Sequence, residues 1–466
     1  MTPFPTSRRN ATLAAAALTA LALTACNPVS NVGPSPTPSG SHLASPYVPA
    51  PSATESASPS APATPSATAS ATATGTGSAA DAKNVTVAGL LWPDGKEVSA
   101  SRLTPAAPTA TLKATPLPQS KAGAENWLTM TLSGEVLGLS GKEKAGLPFY
   151  GVIRLKGGKA ANAIDAASDP FAGSQERLAK AADPTKARGP FPLAVASAGE
   201  GFVVLSRNVS GGDDVSGALY AVKSPGGAAT LLKQFPSSNG AVVDVAIGKD
   251  STGVQRAYWS RSVGTSYTVE SMPLAGGPVQ TEAEDAIHPV MTERGLYAQS
   301  IGKTTGDNKG LPAATGIGPV KNGRVQPVFT ATYSTGYELG ASVSPDGRYV
   351  SVPLGESALP EDKSTLNVGL SVDVQSKKAS ILLAKNLVKD GAGSVLGAVD
   401  GFIAWRSGET LSYLRADGSI NVSVPGAGTH RTIPMMISGL ANGSTRLLAP
   451  STPTGSGTPG WVATLP

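Results

Sequence analysis

The chain has 466 residues, of which 15% are charged and 5% are aromatic, and it contains 54 Gly and 39 Pro. This composition argues against a coiled coil, and the absence of repeated apolar runs of about 20 residues argues against a multispan membrane protein. The formal net charge is +5, and removing residues 1–25 leaves 35 basic against 32 acidic residues. So small an excess does not indicate a nucleic-acid partner.

The N-terminal segment is typical of an export signal. Arg8 and Arg9 precede Ala11–Ala25, an uncharged stretch of Ala, Leu and Thr. A helix of that length rises only about 22 Å, which is too short for a hydrocarbon core of about 30 Å. We therefore predict that residues 1–25 are a signal peptide rather than a permanent anchor.

The signal ends in Leu23-Thr24-Ala25-Cys26, and Cys26 is the only Cys in the chain. This string resembles the lipobox of bacterial lipoproteins, in which a Leu and two small residues precede a Cys that is diacylated on its sulfur. The resemblance implies that Cys26 carries the lipid, and two acyl chains anchor a protein stably. We expect a lipoprotein on the extracytoplasmic face of the cell membrane, with no internal disulfide.

Two alternatives concern this signal. One is an ordinary secretory signal with an Ala-rich cleavage site, in which Cys26 stands by chance. Ser7-Arg8-Arg9 also resembles the twin-arginine export signal, but Asn10, Ala11 and Thr12 follow where that family has a bulky apolar residue. The export route is left open.

Residues 27–83 are rich in Ser, Thr, Ala and Pro and contain few ionisable side chains. Such a segment buries too little apolar surface to offset its ordering entropy. We predict that residues 26–83, the lipidated Cys and its linker, are disordered. A flexible chain of this length holds a domain about 40 Å from the membrane.

Residues 84–466 show a recurring pattern of short apolar strands separated by Gly or Asn turns. Phe202–Arg207, for example, leads to Leu219–Val222 and then to a turn. The turn positions recur about every 52 residues, near the period of four-stranded propeller blades. We predict an all-β domain, a β-propeller of about seven blades; a tandem of β-sandwiches is the alternative. The turn positions are Gly157, Gly226, Gly276, Asn322, Lys377 and Asp417.

One turn motif supports the propeller. Ser344–Val350 reads Ser-Pro-Asp-Gly-Arg-Tyr-Val, which resembles the turn of TolB-type propellers and of the propellers of prolyl oligopeptidases. Trp92–Lys96 and Arg415–Gly418 are partial copies. The resemblance implies a fold and not an activity.

Three further features bear on architecture. Trp259 and Trp405 occupy matching repeat positions, which indicates packing between blades. Val85–Leu91 and Gly460–Leu465 are predicted to share one blade and so close the ring without an exposed edge. The best helical stretch is Pro170–Arg188, which we interpret as an insertion.

The chain offers few candidate catalytic residues. Of the three histidines, His42 lies in the predicted linker, and we expect His288 and His430 in surface loops because no Gly-x-Ser-x-Gly elbow accompanies them. Since Cys26 is alone and the histidines are not paired at a ligand spacing, we expect no zinc site. The acidic clusters Gly211–Asp214 and Glu282–Asp285 are either calcium sites or, more simply, solvated hairpin loops. We therefore name no catalytic, metal or cofactor residue, and leave the ligand-binding residues unknown.

These observations favour a membrane-anchored propeller that acts as a binding or scaffold module for a protein or cell-envelope component. One alternative is a propeller hydrolase or lyase with a carboxylate or metal site at the channel mouth. The other is a ligand-sensing lipoprotein of a membrane complex. The expected contacts are the membrane, through Cys26, and a protein or cell-wall partner; we expect a monomer without a cofactor.

Overall fold

The computed structural model describes residues that all lie within the unit Gly75–Pro466. The described residues are 84–102, 108–118, 125–141, 149–182, 187–209, 215–236, 240–264, 266–303, 312–332, 341–344, 346–354, 368–383, 394–399, 402–407, 410–415, 418–423, 436–439, 445–449 and 460–465. The predicted signal peptide, Cys26 and the predicted linker lie outside these residues and stay predictions.

An N-terminal segment of four strands precedes the first complete sheet. Its strands are β1 (Val85–Leu91), β2 (Glu97–Arg102), β3 (Pro108–Lys113) and β4 (Thr115–Pro116). β1 and β2 form an antiparallel hairpin.

Three runs of four consecutive antiparallel strands follow, β5–β8, β9–β12 and β13–β16. The helix α1 (Ser174–Lys180) lies between the first two runs, inside the predicted helical stretch. The strands are β5 (Glu125–Met130), β6 (Val136–Ser140), β7 (Gly151–Lys156), β8 (Lys159–Asn162), β9 (Gly189–Ala198), β10 (Gly201–Val209), β11 (Val215–Val222), β12 (Ala229–Phe235), β13 (Ala241–Lys249), β14 (Gln255–Val263), β15 (Ser266–Pro273) and β16 (Gln280–Glu284).

The same antiparallel order continues towards the C-terminus. The strands are β17 (Ala286–Thr292), β18 (Gly295–Lys303), β19 (Pro312–Lys321), β20 (Arg324–Val325), β21 (Phe329–Ala331), β22 (Ser342–Val343), β23 (Tyr349–Leu354), β24 (Val368–Asp373), β25 (Lys378–Leu383), β26 (Ser394–Val399), β27 (Phe402–Ser407), β28 (Thr410–Arg415), β29 (Gly418–Ser423), β30 (Met436–Gly439), β31 (Thr445–Ala449) and β32 (Trp461–Leu465). β17, β18, β19 and β21 form one run, and β22–β25 and β26–β29 form two more.

The first strands of successive runs contact one another, β5 with β9, β9 with β13, and β13 with β17. Four-stranded antiparallel sheets that meet through their first strands are the architecture of a β-propeller. The predicted all-β propeller fold is confirmed. The number of blades stays a prediction, because the pair β16–β20 and the hairpin β1–β2 join the runs from β13 to β25 into one sheet of 15 strands.

The predicted turn positions lie in the hairpins that leave the third strand of a run. Gly157, Gly226 and Gly276 have φ of 59°, 86° and 89°, and Asn322 and Lys377 have φ of 52° and 53°. Tight hairpins require this left-handed backbone, which explains why Gly and Asn recur there. The sixth predicted position, Asp417, lies outside the described residues.

The turn after the first strand has its own repeat, of which sequence reasoning recognised one full copy. In Ser344–Gly347 the N–H of Gly347 donates to the carbonyl of Ser344 at 2.8 Å. The same hydrogen bond closes Trp92–Gly95, Thr131–Gly134 and Asp250–Gly253 at 2.9 Å each. The common sequence signal is a Gly three residues after the start of the turn.

The prediction that Val85–Leu91 and Gly460–Leu465 share one blade is wrong. β32 pairs not with β1 but with β4, Trp461 opposite Pro116 and Val462 opposite Thr115. β1 instead pairs with β2 and β21. The reason is burial, because Val87 and Leu90 are fully buried in a core shared with residues of β19 to β25.

The other strands of the N-terminal segment pair with the last strands of three later sheets. β2 pairs in parallel with β25, and β3 pairs in parallel with β29. β4 then reaches β32. The N-terminal segment therefore covers three sheet edges that the sequence left unassigned.

Candidate functional site

Several predicted site residues lie outside the described residues. These are the lipobox residues Leu23, Thr24 and Ala25 with Cys26, the histidines His42 and His430, and the acidic cluster Gly211–Asp214. Their roles stay predictions.

The second acidic cluster is part of a strand and not a solvated hairpin loop. Glu282 lies in β16, where its Oε1 accepts a hydrogen bond from Ser271 Oγ at 2.5 Å and lies 3.8 Å from Arg256 Nε. Among the described residues no group of three or more His, Cys, Asp or Glu is arranged to hold a metal ion.

Arg256 is the centre of this polar network. Its side chain is 7% exposed, donates to Ser271 Oγ at 2.9 Å and to Gln280 Oε1 at 2.8 Å, and lies 3.7 Å from Asp250. Burial and the charge of Glu282 raise the pKa of the nearby Tyr258 to about 12. The network ties β14, β15 and β16 together, and the buried guanidinium with its four partners indicates a structural role.

The first strands carry a β-bulge at the same relative position. The register against the second strand shifts by one residue, so that Leu128, Leu193 and Val243 are each left without a partner. β26 shows the same shift around Leu396. Bulges re-aim a side chain and recur next to binding sites.

In β17 the bulge falls on His288 and Pro289, between the pairs Ile287–Gln299 and Val290–Tyr297. Histidine thus stands where the neighbouring first strands carry Leu or Val. The prediction that His288 lies in a surface loop is wrong. Only the register shows that Ile287-His288-Pro289 corresponds to Val242-Val243-Asp244, so sequence reasoning had no signal for this position.

The His288 side chain reaches the preceding first strand. Its Nδ1 lies 2.5 Å from Asp244 Oδ2, and the two side chains are 26% and 25% exposed. Asp244 Oδ1 accepts the backbone N–H of Ser260 at 3.0 Å, and Ser260 Oγ accepts the backbone N–H of His288 at 2.8 Å. These contacts fix the imidazole by its Nδ1 and leave both side chains partly accessible to solvent.

Two further observations bear on the function of the Asp244–His288 pair. His288 has a φ of 54°, a left-handed backbone that is uncommon for residues other than Gly, although His adopts it more often than most. Strained backbone of this kind is concentrated at functional sites, and an observed outlier supports a hypothesis of function. Ser260 is fully buried and its hydroxyl holds the backbone of His288, so it does not act as a nucleophile.

Trp259, the other residue singled out from the repeat, is fully buried. Its ring packs edge to face against Phe235 of the preceding sheet at 5.3 Å, and its Nε1 donates to Glu270 at 3.0 Å. Packing between blades is therefore confirmed for Trp259. The side chain of Trp405 lies outside the described residues.

A surface cleft of about 430 Å³ lies beside β7, β8 and α1 and is lined in part by Tyr150 and Glu176. Another lining residue, Asp169, accepts hydrogen bonds from Asn162 Nδ2 at 3.1 Å and from the N–H of Phe171 at 2.9 Å. Its carboxylate is thus engaged within the protein.

The part of the chain that the structure describes contains no helix with the length and apolar character needed to cross a bilayer.

Solved structures of similar fold are propeller proteins. The β-propeller domain of the Trilobed protease from Pyrococcus furiosus is 8% identical, with a TM-score of 0.36 over 58% of this chain and 82% of that chain. An oligogalacturonate lyase from Vibrio parahaemolyticus is 11% identical, with a TM-score of 0.40 over 83% of this chain and 99% of that chain.

A prolyl endopeptidase structure is 17% identical, with a TM-score of 0.38 over 70% of this chain. The present chain spans only 45% of that one. No family model and no curated protein matches the sequence. These similarities concern the fold and carry no argument about activity.

Proposed function

We propose that the protein is a lipid-anchored extracytoplasmic propeller that acts as a binding or scaffold module for a protein or cell-envelope component. The observation that carries the anchor is the position of Cys26, the only Cys among 466 residues, directly after Leu23-Thr24-Ala25 and an apolar signal. A thiol at that place is the acceptor that diacylation requires.

The binding role is supported by the first strands. They carry partly exposed bulged side chains, and one of these, His288, is held in a strained backbone against Asp244. A rigid β scaffold of this kind presents such groups in fixed positions. The membrane and a protein or cell-wall component are the proposed contacts of a monomeric chain.

The anchor is tested by Cys26→Ala, with Ala25→Gly as the matched control that keeps a small residue beside the Cys. We expect the Cys26→Ala protein to leave the membrane fraction, while the control stays there and its N-terminal peptide carries the mass of a lipid. Unchanged membrane retention of Cys26→Ala contradicts the proposal.

Acid–base catalysis is the second candidate function, and the Asp244–His288 pair favours it. A carboxylate that holds Nδ1 of an imidazole orients it as a general acid or base. The test is turnover of esters, lactones and glycosides by the Cys26→Ala protein. Turnover that His288→Gln abolishes supports an enzyme; turnover that survives His288→Gln excludes this pair as its centre.

A further inference from the structure

The connection between the first two complete sheets departs from the repeat. Residues 163–188 join β8 to β9, whereas residues 236–240 join β12 to β13 and Asp285 alone joins β16 to β17. The shorter connections show that the repeat does not need the longer one. Long connections in compact domains usually carry function. This one contributes Asp169 and Glu176 to the lining of the cleft beside β7 and β8.

The described part of this connection is packed and hydrogen-bonded onto the sheets. Phe171 is buried in a core that it shares with β6, β7 and β10. Ser168 Oγ accepts the backbone N–H of Ala229 at 3.0 Å. Ser174 Oγ donates to the carbonyl of Pro190 at 3.0 Å. The walls of the cleft are therefore in place before a ligand arrives, and such a site binds without the cost of ordering its parts.

We propose that this cleft, of about 430 Å³, binds a neutral saccharide. The inference deepens the proposed binding role and rests on it, because it names the class of cell-envelope component that the propeller recognises. The volume of the cleft lies within the range of about 300 to 1,000 Å³ that small-molecule sites occupy.

The polar side chains of the lining suit the hydroxyl groups of a sugar. Asn162 Nδ2 donates to Asp169 Oδ2 at 3.1 Å, and Asp169 Oδ1 accepts the backbone N–H of Phe171 at 2.9 Å. Asp169 is therefore a positioning residue that fixes the amide of Asn162. Within the described structure this amide keeps an acceptor oxygen and a second N–H, and the two match a pair of neighbouring hydroxyls.

Tyr150 and the charges of the lining account for the rest of the specificity. Tyr150 is half-buried in the lining, and an aromatic side chain offers an apolar surface to the C–H groups of a sugar ring. The described lining includes the carboxylates of Asp169 and Glu176 and contains no Lys, Arg or His. These carboxylates repel an anionic sugar such as a uronate, so a neutral saccharide is favoured.

The experiment uses the full chain with Cys26→Ala on an array of neutral hexose oligosaccharides, neutral N-acetylhexosamine oligosaccharides and oligouronates. We expect saturable binding of at least one neutral class and weaker binding of the oligouronates. Absence of binding to every neutral glycan overturns the proposal, as does binding of oligouronates that is equal or tighter. Because anchoring is measured by the membrane fraction and not by this array, a negative result here leaves the proposed anchored binding module standing.

A blocking variant locates the site. Ala172 is exposed and lines the cleft, so Ala172→Trp fills the cleft without disturbing the core. Ala179→Trp is the matched control, because Ala179 is exposed on α1 but lies outside the lining. We expect Ala172→Trp to weaken binding by at least about tenfold and Ala179→Trp to leave it unchanged. Equal losses in the two variants overturn the assignment, as does full affinity in Ala172→Trp.

Two further variants test the chemistry of the lining. Asn162→Ala is expected to weaken binding about tenfold, the worth of one hydrogen bond. Tyr150→Leu keeps an apolar side chain but loses the ring, and is expected to weaken binding several-fold. Gln326→Ala removes an exposed amide outside the lining and is the control that keeps full affinity. Full affinity in Asn162→Ala overturns the proposal; should Tyr150→Leu fail to fold, the pair of Trp variants decides.

Discussion

Two junctions between neighbouring first strands both involve the residue that follows a bulge, but they differ in chemistry. Between β5 and β9, Thr129 Oγ1 lies 2.8 Å from Ser197 Oγ, and Ser197 Oγ donates to the carbonyl of Met130 at 2.5 Å. Between β13 and β17, Asp244 meets His288. Thr129 and Asp244 each follow the bulged residue of their strand.

The difference separates a structural contact from a functional one. Thr129 is 5% exposed, and its hydroxyl pair is neutral. Asp244 and His288 are ionisable and about one-quarter exposed, and only this junction carries a left-handed His. Hydroxyl groups are enough for the polar contact between β5 and β9. The ionisable pair therefore points to a role beyond stability.

Removing the carboxylate should have the largest effect. Asp244→Ala leaves the N–H of Ser260 and the imidazole of His288 without their acceptor, and we expect a loss of about 2 to 3 kcal/mol in the free energy of unfolding. Urea unfolding measures it, with Val243→Thr as the neighbouring control. A loss below about 0.5 kcal/mol in the free energy of unfolding would show that this junction does not stabilise the packing of the two sheets.

The second largest loss of stability is expected from changing the residue that holds the left-handed backbone at position 288. His288→Val places a β-branched residue at a φ of 54° and loses the contact with Asp244, so we expect a loss of about 2 kcal/mol. His288→Asn tolerates this backbone and keeps an amide donor, and should lose less than about 1 kcal/mol. Thermal unfolding of the two variants compares them; equal losses would mean that backbone strain is unimportant here.

Mutation of the neutral Thr129–Ser197 junction should cost less stability than mutation of the Asp244–His288 junction. Thr129→Val removes one hydroxyl while Ser197 keeps the carbonyl of Met130, so we expect a loss of about 1 kcal/mol. A double-mutant cycle with Ser197→Ala measures the coupling between the two hydroxyls. A loss as large as that of Asp244→Ala would remove the contrast between the junctions.

The smallest effect is expected at the ion pair between Arg348 and Asp373, and it should depend on pH. Partial burial acts to raise the pKa of Asp373, but hydrogen bonds from the N–H of Ser376, from Arg348 and from the N–H of Gln375 outweigh it and lower the pKa. A lowered carboxyl pKa stabilises the folded protein above the unfolded pKa of about 3.9, and this stability is lost as the pH falls through the folded value.

Asp373→Asn keeps the acceptor for the turn and removes the charge, so we expect it to cost about 0.5 kcal/mol at pH 7 and less at pH 3. Thermal unfolding at the two pH values measures this. A difference between wild type and Asp373→Asn that grows towards acid would contradict the direction of the shift.

Local sequence predicted the strands and their turns well. Gly157, Gly226 and Gly276 lie where the hairpins need a left-handed residue, and Ser344–Gly347 closes as the motif predicts. These features depend on neighbours in the chain. The turn repeat at Thr131–Gly134 was missed because its first residues vary while the closing hydrogen bond stays the same.

The excess of Gly and the spacing of turns were enough to predict an all-β chain of repeating strands, whereas export and the role of Cys26 stay predictions. Only the tertiary structure decided that β4 rather than β1 completes the sheet of β32, and that His288 meets Asp244. The physical reason is the same in both cases. The partners are distant in the chain, and their meeting depends on register shifts and on buried apolar faces that come together only when the sheets pack.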